Sequence, residues 1–270
     1  MNIAIMSPHC HNNGNTTVTA LIAATLARQN KKVCLTHVTD KSEAIYPYYG
    51  IVGGGANATD AVQLTKLIQT GGMQKNSLSN YCKNITDNFD VFSLDASTII
   101  PEEEVADVLT YILENAPYDY TVVDVDENSL DKVNVQTVID HADIIILVLS
   151  QIITEINRFK AMKGTFVTRT KKVPKIVVVN KYRNILGEIK DYATRLDIKD
   201  TRHWHYLHDN PHIALCENTG KLLFLSEQIR KKNGDVLELD TDLQKIVKDI
   251  LETKRSANKW YTSKKEEFDD

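Results

Sequence analysis

Residues 2–28 read NIAIMSPHCHNNGNTTVTALIAATLAR, and this stretch decides the fold. Its apolar start, Asn2–Met6, predicts a short buried strand. Its second half carries apolar residues at helical spacing and predicts an amphipathic helix; these residues are Val18, Leu21, Ile22 and Leu26. Between the two lies SPHCHNNGNTT, Ser7–Thr17, at the place that a phosphate-binding loop occupies in nucleotide-binding α/β proteins.

Apolar runs and amphipathic stretches alternate along the rest of the chain. The runs YTVVDVD (120–126), DIIILVLS (143–150) and KIVVVNK (175–181) are typical of strands that helices cover on both faces. Helical patterns lie between the runs, and one at 101–117 begins with proline and three glutamates. The alternation predicts an α/β protein, with a doubly wound, mostly parallel sheet flanked by helices. We expect one domain over residues 1–256 and a flexible tail over 257–270.

Composition and charge exclude several classes of protein. The net charge of −4 gives no overall attraction to nucleic acid. The four cysteines are scattered and form no CxxC pair, so neither a zinc ribbon nor a thioredoxin-like site is predicted. The N-terminus lacks the pattern of a signal peptide, and the longest apolar run, Ile144–Leu149, is too short to span a bilayer. We expect a cytoplasmic protein that meets a membrane or a cell pole only peripherally.

The turn GNTT, Gly14–Thr17, keeps most features of a phosphate site but not its charge. Backbone N–H groups and the N-terminus of a helix attract anions without a lysine. A P-loop would place lysine at Asn15. Phosphate ligands are therefore expected at Gly14, Asn15, Thr16 and Thr17. The alternative is an ordinary helix N-cap, in which Asn13, Asn15 or Thr16 satisfies free N–H groups.

The segment CHNNGNTT, Cys10–Thr17, resembles the KGGxGKTT loop of the deviant Walker A ATPases of the ParA/MinD type, which share a fold with the nitrogenase iron protein. Gly14, Thr16 and Thr17 match that loop, while Cys10 and Asn15 stand at its two lysines. Four further segments resemble the family: LARQNKKVCLTHVTD (26–40), YDYTVVDVDEN (118–128), IVVVNKY (176–182) and HDNPHIALCENTGKLLF (208–224).

The resemblance implies a homodimer that binds ATP or ADP with Mg²⁺. Thr16 and Asp124 would bind Mg²⁺, and Asn180 would contact adenine. Asp124 would otherwise be a capping or solvent-facing carboxylate, and Asn180 an ordinary turn residue.

Several family positions are altered in this sequence. His37 and Thr39 fill two aspartate positions, and the first of these serves hydrolysis in the family. Asp126, Glu127 and Asn128 replace Pro-Pro-Gly. Protonated His9 and His11 would compensate for the lost lysines only in part.

These losses of charge predict weak or absent ATP hydrolysis, and no catalytic residue is assigned. The expected role is spatial organisation or scaffolding in plasmid partition, conjugation or pilus assembly. Pilus proteins of the TadZ/CpaE type, which also have altered loops, are similar in this respect. Two alternatives stay open. One is an active ATPase stimulated by a partner or by DNA, and the other is a protein-interaction module that keeps only the fold.

Three other segments have two possible interpretations each, one functional and one purely structural. The segment 158–175 has seven basic residues and no acid, and would bind DNA phosphates or form a solvated surface; the residues are Arg158, Lys160, Lys163, Arg169, Lys171, Lys172 and Lys175. Strand alternation places His203 and His205 on one face, for zinc or for polar packing. The last helical pattern, around Leu243–Leu251, is that of a core helix or of a membrane-targeting one.

Overall fold

The computed structural model describes residues 1–7, 13–39, 45–50, 58–74, 77–93, 101–126, 130–231 and 233–263. The strands in these ranges are Asn2–Met6 (β1), Val33–Thr39 (β2), Lys83–Thr86 (β3), Phe89–Val91 (β4), Tyr120–Asp126 (β5), Ile144–Ser150 (β6), Lys175–Tyr182 (β7) and Trp204–His208 (β8). The α-helices are Asn15–Arg28 (α1), Ala58–Gln69 (α2), Glu102–Asn115 (α3), Val133–His141 (α4), Ile153–Arg169 (α5), Ile189–Arg195 (α6), Pro211–Thr219 (α7), Leu222–Arg230 (α8) and Leu237–Ser263 (α9).

The described strands form one sheet in the order β3-β4-β2-β5-β1-β6-β7-β8. All neighbouring strands are parallel except β3, which is antiparallel to β4. Parallel neighbours need crossover connections, and helices supply them. The predicted doubly wound, mostly parallel α/β fold is therefore confirmed.

Two hydrophobic cores cover the two faces of the sheet. Helices α1, α8 and α9 contribute to the core on one face, and α3, α4, α5 and α6 contribute to the core on the other face. Helix α1 is the most enclosed, because twelve of its fourteen residues are buried. Each fully buried Val, Leu or Ile contributes about 1.5–3 kcal/mol. This packing fixes α1, and with it the turn at its N-terminus, against the middle of the sheet.

The last helix, α9, is part of the core. Leu243, Ile246, Val247 and Ile250 are fully buried, as the core-helix prediction requires. None of the helices in the described part of the chain combines the length and the apolarity needed to span a bilayer. Residues 264–270 lie outside the described residues, and the proposed domain limit at residue 256 stays a prediction.

Candidate functional site

The face of the sheet that packs against α1 changes from apolar to polar at one edge. The positions that face α1 are Ile3 and Ile5 in β1, followed by Ser7 just after this strand. In β7 they are Ile176, Val178 and Asn180. The same change occurs in neighbouring strands, and the polar residues are buried: Ser7, His37, Ser93, Asp124, Ser150 and Asn180. This edge carries the carboxyl ends of the parallel strands, where ligands bind in open α/β sheets. Buried polar groups need partners, and the turn before α1 provides several of them.

Asn15, the first residue of α1, joins the turn to the centre of the sheet. Its Nδ2 donates to Asp124 Oδ1 at 2.6 Å and lies 3.1 Å from the carbonyl oxygen of Ile5 and 3.3 Å from that of Val125. Asp124 is fully buried and also accepts from Thr19 Oγ1 at 3.3 Å. The side chain at the position of a P-loop lysine is thus a neutral amide bonded to the buried carboxylate.

The oxygen of the same amide, Asn15 Oδ1, lacks a hydrogen-bond donor among the described residues. This oxygen is buried. A buried oxygen acceptor without a donor costs about 1–3 kcal/mol. Carboxamide and carboxylate oxygens with water are the ligands that Mg²⁺ uses in proteins. The oxygens of Asn15 and Asp124 and the hydroxyl of Thr16 therefore fit a hydrated divalent cation.

Gly14 allows Asn180 to approach the turn closely. Gly14 has φ 71° and ψ 34°, a left-handed conformation that favours glycine. Asn180 Nδ2 donates to the carbonyl oxygen of Asn13 at 2.7 Å, and a Cβ on Gly14 would overlap that nitrogen. Asn13 Nδ2 donates in turn to Ser7 Oγ at 2.6 Å. Asn180 thus holds the turn in place, and its contact with adenine stays a prediction.

The two threonines of the turn have different surroundings. Thr16 is half-buried, and its hydroxyl forms no hydrogen bond with any residue that the structure describes. Thr17 is buried, and its hydroxyl donates to a carboxylate oxygen of Glu217 on α7. Thr17 therefore ties α1 to α7, and its role as a phosphate ligand stays a prediction.

His37 lies beside Asp124 in the sheet, since the two residues are register partners on β2 and β5. Its Nε2 is 2.5 Å from Ser93 Oγ, and Nδ1 has no hydrogen-bond partner among the described residues. Burial lowers the pKa of His37 to about 4, so the imidazole is neutral near pH 7. A neutral imidazole does not polarise water as an ionised aspartate does.

Most of the basic segment is engaged within the chain. Lys160 pairs with Asp197 at 3.1 Å, and Lys163 Nζ donates to the carbonyl oxygen of Leu196 at 2.5 Å. Arg158, Arg169 and Lys175 are likewise bonded, to Glu155, Asp131 and the carbonyl oxygens of Thr170 and Val173. Lys171 and Lys172 are exposed and make no ion pair in the described part of the chain. DNA binding stays a prediction that now depends on these two lysines.

Three histidines pack against α9: His203 just before β8, and His205 and His208 within it. His203 Nδ1 and His205 Nε2 lie 2.9 and 2.7 Å from the carboxylate of Asp249, and His208 Nδ1 lies 2.7 Å from Asp242. Within the described ranges no group of three metal-ligating side chains is arranged to hold a metal ion. Polar packing is therefore the better description of this stretch.

Several residues singled out in the sequence lie outside the described residues. They are His9, Cys10, His11, Glu127 and Asn128. Three functional neighbours were not predicted: Ser93, Lys181 and Glu217. Glu217 bonds to Thr17, Lys181 lies beside Gly14, and Ser93 bonds to His37. In the sequence, only a polar residue at or after the end of a strand marks Ser93 and Lys181.

The sequence matches no model of a protein family and no curated protein sequence. Solved structures, however, resemble the chain over almost its whole length. The ParA family ATPase from Chlorobium tepidum TLS is 14% identical; the match covers 91% of this chain and 96% of that one, with a TM-score of 0.70. A chain of the MinC:MinD cell division protein complex of Aquifex aeolicus is 17% identical, with coverages of 93% and 95% and a TM-score of 0.68.

A third similar structure contains a nucleotide. It is the septum site-determining protein MinD complexed with Mg-ADP from Pyrococcus horikoshii OT3, which is 15% identical, with coverages of 92% and 95% and a TM-score of 0.67. At these identities the likeness concerns the fold. The eight-stranded sheet of the described residues and these matches show that the chain has the ParA/MinD-like fold of P-loop NTPases.

Proposed function

We propose that this chain is a ParA/MinD-like protein of spatial organisation that binds ATP or ADP with Mg²⁺ and hydrolyses ATP very slowly or not at all. Residues Gly14–Thr17 would hold the phosphates, Thr16 and Asp124 would hold Mg²⁺, and Asn180 would lie next to adenine. The nucleotide would act as a structural or dimerising ligand.

The observation that carries this proposal is the hydrogen bond between Asn15 and Asp124. The amide replaces a cation and gives nucleotide phosphates no balancing charge. A lost hydrogen bond to a charged group is worth about 1.5–3 kcal/mol, which corresponds to a loss of affinity of about tenfold or more. Backbone N–H groups and Mg²⁺ would still support binding.

The loss of charge should reduce the rate of ATP hydrolysis more than the affinity for nucleotide. Phosphoryl transfer depends on electrostatic stabilisation of the transition state, and this site lacks both the charge at Asn15 and a carboxylate at His37. The neutral His37 ring is bonded to Ser93, and its lowered pKa makes it a weak general base.

A surface for protein partners lies at the same edge of the sheet. Ile152 and Ile153 follow β6, Ile185 follows β7, and these side chains are 50%, 47% and 89% exposed. Hydrogen bonds between Gln151 and Arg183 hold the two segments together at 2.7 and 3.2 Å. Exposed apolar groups next to a ligand site are typical of an interaction surface. We propose that a second copy covers it when nucleotide binds.

The cellular role that we propose is to organise a partition, conjugation or pilus apparatus, through a protein partner, at a membrane or a cell pole. The fold shared with a ParA family ATPase and with MinD in its complex with MinC supports this role.

The experiment that tests the proposal is calorimetric titration of the purified protein with Mg-ATP, Mg-ADP and a non-hydrolysable ATP analogue. Light scattering and phosphate release are measured on the same samples. We expect a Kd on the order of micromolar, a larger particle with the ATP forms, and almost no phosphate release. Thr16→Ala should weaken binding only when Mg²⁺ is present, and Thr168→Ala, on the exposed surface of α5, is the matched control.

Two outcomes would contradict the proposal. Neither heat nor thermal stabilisation at millimolar nucleotide would mean that the turn is a helix cap, and that the chain is a protein-interaction module. Turnover that DNA or a partner accelerates would instead mean an active ATPase.

A further inference from the structure

Lys181 has a backbone conformation that a lysine in a strand rarely adopts. Its φ is 53°, although it lies inside β7. The other non-glycine residues with positive φ in the described ranges, Asn30 and Asp197, follow the ends of α1 and α6. Helices commonly end in that conformation, and Asn and Asp tolerate it. Neither explanation applies to Lys181, which lies in a strand and is neither Asn nor Asp.

The effect of this conformation is to turn Lys181 towards the phosphate turn. Successive side chains of a regular strand point to opposite faces, so Lys181 should point away from Asn180. The register between β7 and β8 shifts between Val179 and Tyr182, as at a β-bulge. As a result Lys181 Cε lies 3.9 Å from the position that a Cβ on Gly14 would occupy, next to Asn180. Bulges beside active sites often redirect a side chain in this way.

The ammonium group of Lys181 is available for a ligand. The side chain is exposed, and it forms no hydrogen bond or ion pair with any residue that the structure describes. The turn that it reaches has Asn15 where a P-loop has lysine. Within that turn, the buried oxygen Asn15 Oδ1 has no donor among the described residues, which independently points to a ligand at the turn.

We propose that Lys181 supplies the positive charge for the phosphates of a nucleotide bound at Gly14–Thr17, in place of the absent P-loop lysine. The proposal rests on the nucleotide site of the proposed function. A lysine ammonium is a compact charge with three donors on a flexible stem, so it suits a di- or triphosphate better than the base. The left-handed backbone at residue 181 is then strain kept at a functional site.

The test compares Kd values for Mg-ATP, Mg-ADP and adenosine, measured by calorimetry on four proteins. These are the wild type, Lys181→Met, Lys181→Arg and Lys171→Met. Lys171 precedes β7, so its replacement removes an equal exposed charge at the opposite edge of the sheet. We expect Lys181→Met to weaken Mg-ATP binding about tenfold or more, Mg-ADP binding less, and adenosine binding not at all. Lys181→Arg and Lys171→Met should bind like the wild type within about threefold, because each keeps a cation at residue 181.

A further variant guards against a loss of folding. Lys181→Gly relieves the left-handed conformation, so its melting temperature should equal or exceed that of the wild type while Mg-ATP affinity falls as in Lys181→Met. Unchanged Mg-ATP affinity in both variants would overturn the role of Lys181 and leave the nucleotide site intact. An equal loss for adenosine would also overturn it, since the lysine would then contact the base. No nucleotide binding by the wild type would overturn the proposed function itself, and the role of Lys181 with it.

Discussion

Asn15 Nδ2 lies 2.6 Å from Asp124 Oδ1, so the first residue of α1 is tied directly to the central strand of the polar edge. Both side chains are almost completely buried, at 5% and 0% exposure. A carboxylate in such a place needs donors, because an uncompensated buried charge is very costly. The amide therefore stabilises the fold at a position where a P-loop lysine would serve a ligand.

Replacing Asn15 by alanine should destabilise the protein. Asp124 would lose the 2.6 Å hydrogen bond from the Asn15 amide, while the 3.3 Å contact from Thr19 would remain. We expect the free energy of unfolding to fall by about 2 kcal/mol, which urea denaturation at neutral pH would measure. Thr16 is the next residue of the same helix and is only half-buried. For Thr16→Ala, the free energy of unfolding should fall by less than about half of that amount. Equal stabilities of the wild type and Asn15→Ala would show that the hydrogen bond contributes nothing.

Replacing Asn15 by lysine tests the function of the same position. The ammonium group would pair with Asp124 in the free protein and with phosphates when nucleotide binds. We expect Mg-ATP affinity to rise about tenfold, as one charge-assisted hydrogen bond is gained, while hydrolysis stays slow because His37 is unchanged. Calorimetry and phosphate release measure the two effects. Asn15→Gln lengthens the amide without charge and is the control, and an equal gain in that variant would contradict the electrostatic explanation.

The fold was predictable because its central elements carry strong local signals. The strands β5, β6 and β7 are almost continuous apolar runs, and α1 has apolar residues at helical spacing. The edge strand β3 reads KNIT and is mostly exposed, so no apolar run marks it. The fold class therefore follows from local patterns, while the antiparallel hairpin at the edge of the sheet does not.

The site was predictable only in part, because its key contacts join residues far apart in the chain. The turn stands out because it follows an apolar strand, and Asp124 stands out as a carboxylate within the apolar run of β5. The bond between Thr17 and Glu217 spans 200 residues, and no local pattern signals it. The turning of Lys181 depends on a register shift between two strands, which residue types alone do not specify.

Replacing Gly14 by alanine should destabilise the protein by more than the strain of its left-handed backbone conformation alone. Gly14 and Gly71 have nearly the same φ, 71° and 68°, but only at Gly14 would a Cβ overlap another side chain, that of Asn180. We expect Gly71→Ala to lower the free energy of unfolding by about 1 kcal/mol, and Gly14→Ala by at least about 2 kcal/mol, because the clash adds to the strain. Urea denaturation of both variants gives the comparison.

Asn180→Ala completes this experiment as a double-mutant cycle. It removes the clash, so the effect of Gly14→Ala should shrink towards that of Gly71→Ala in the Asn180→Ala background. Full additivity of the two changes would mean that Asn180 and Gly14 do not constrain each other.

His37 should make stability depend on pH between about 4 and 6.5. Burial lowers its pKa in the folded protein to about 4 from the ordinary 6.5, so the unfolded chain binds more protons in this window. Stability must therefore fall as the pH is lowered from about 6.5 to about 4. Between about pH 7.5 and pH 5 the His37 contribution to the loss should be about 2 kcal/mol.

His37→Gln isolates that contribution, because glutamine does not titrate and the other histidines remain. The difference in unfolding free energy between wild type and variant, from urea titrations at about pH 7.5 and pH 5, should shift by about 2 kcal/mol in favour of the variant at the lower pH. If His37→Gln loses as much stability on acidification as the wild type does, His37 is not held neutral, and a charged imidazole would lie beside Asp124 in the proposed nucleotide site.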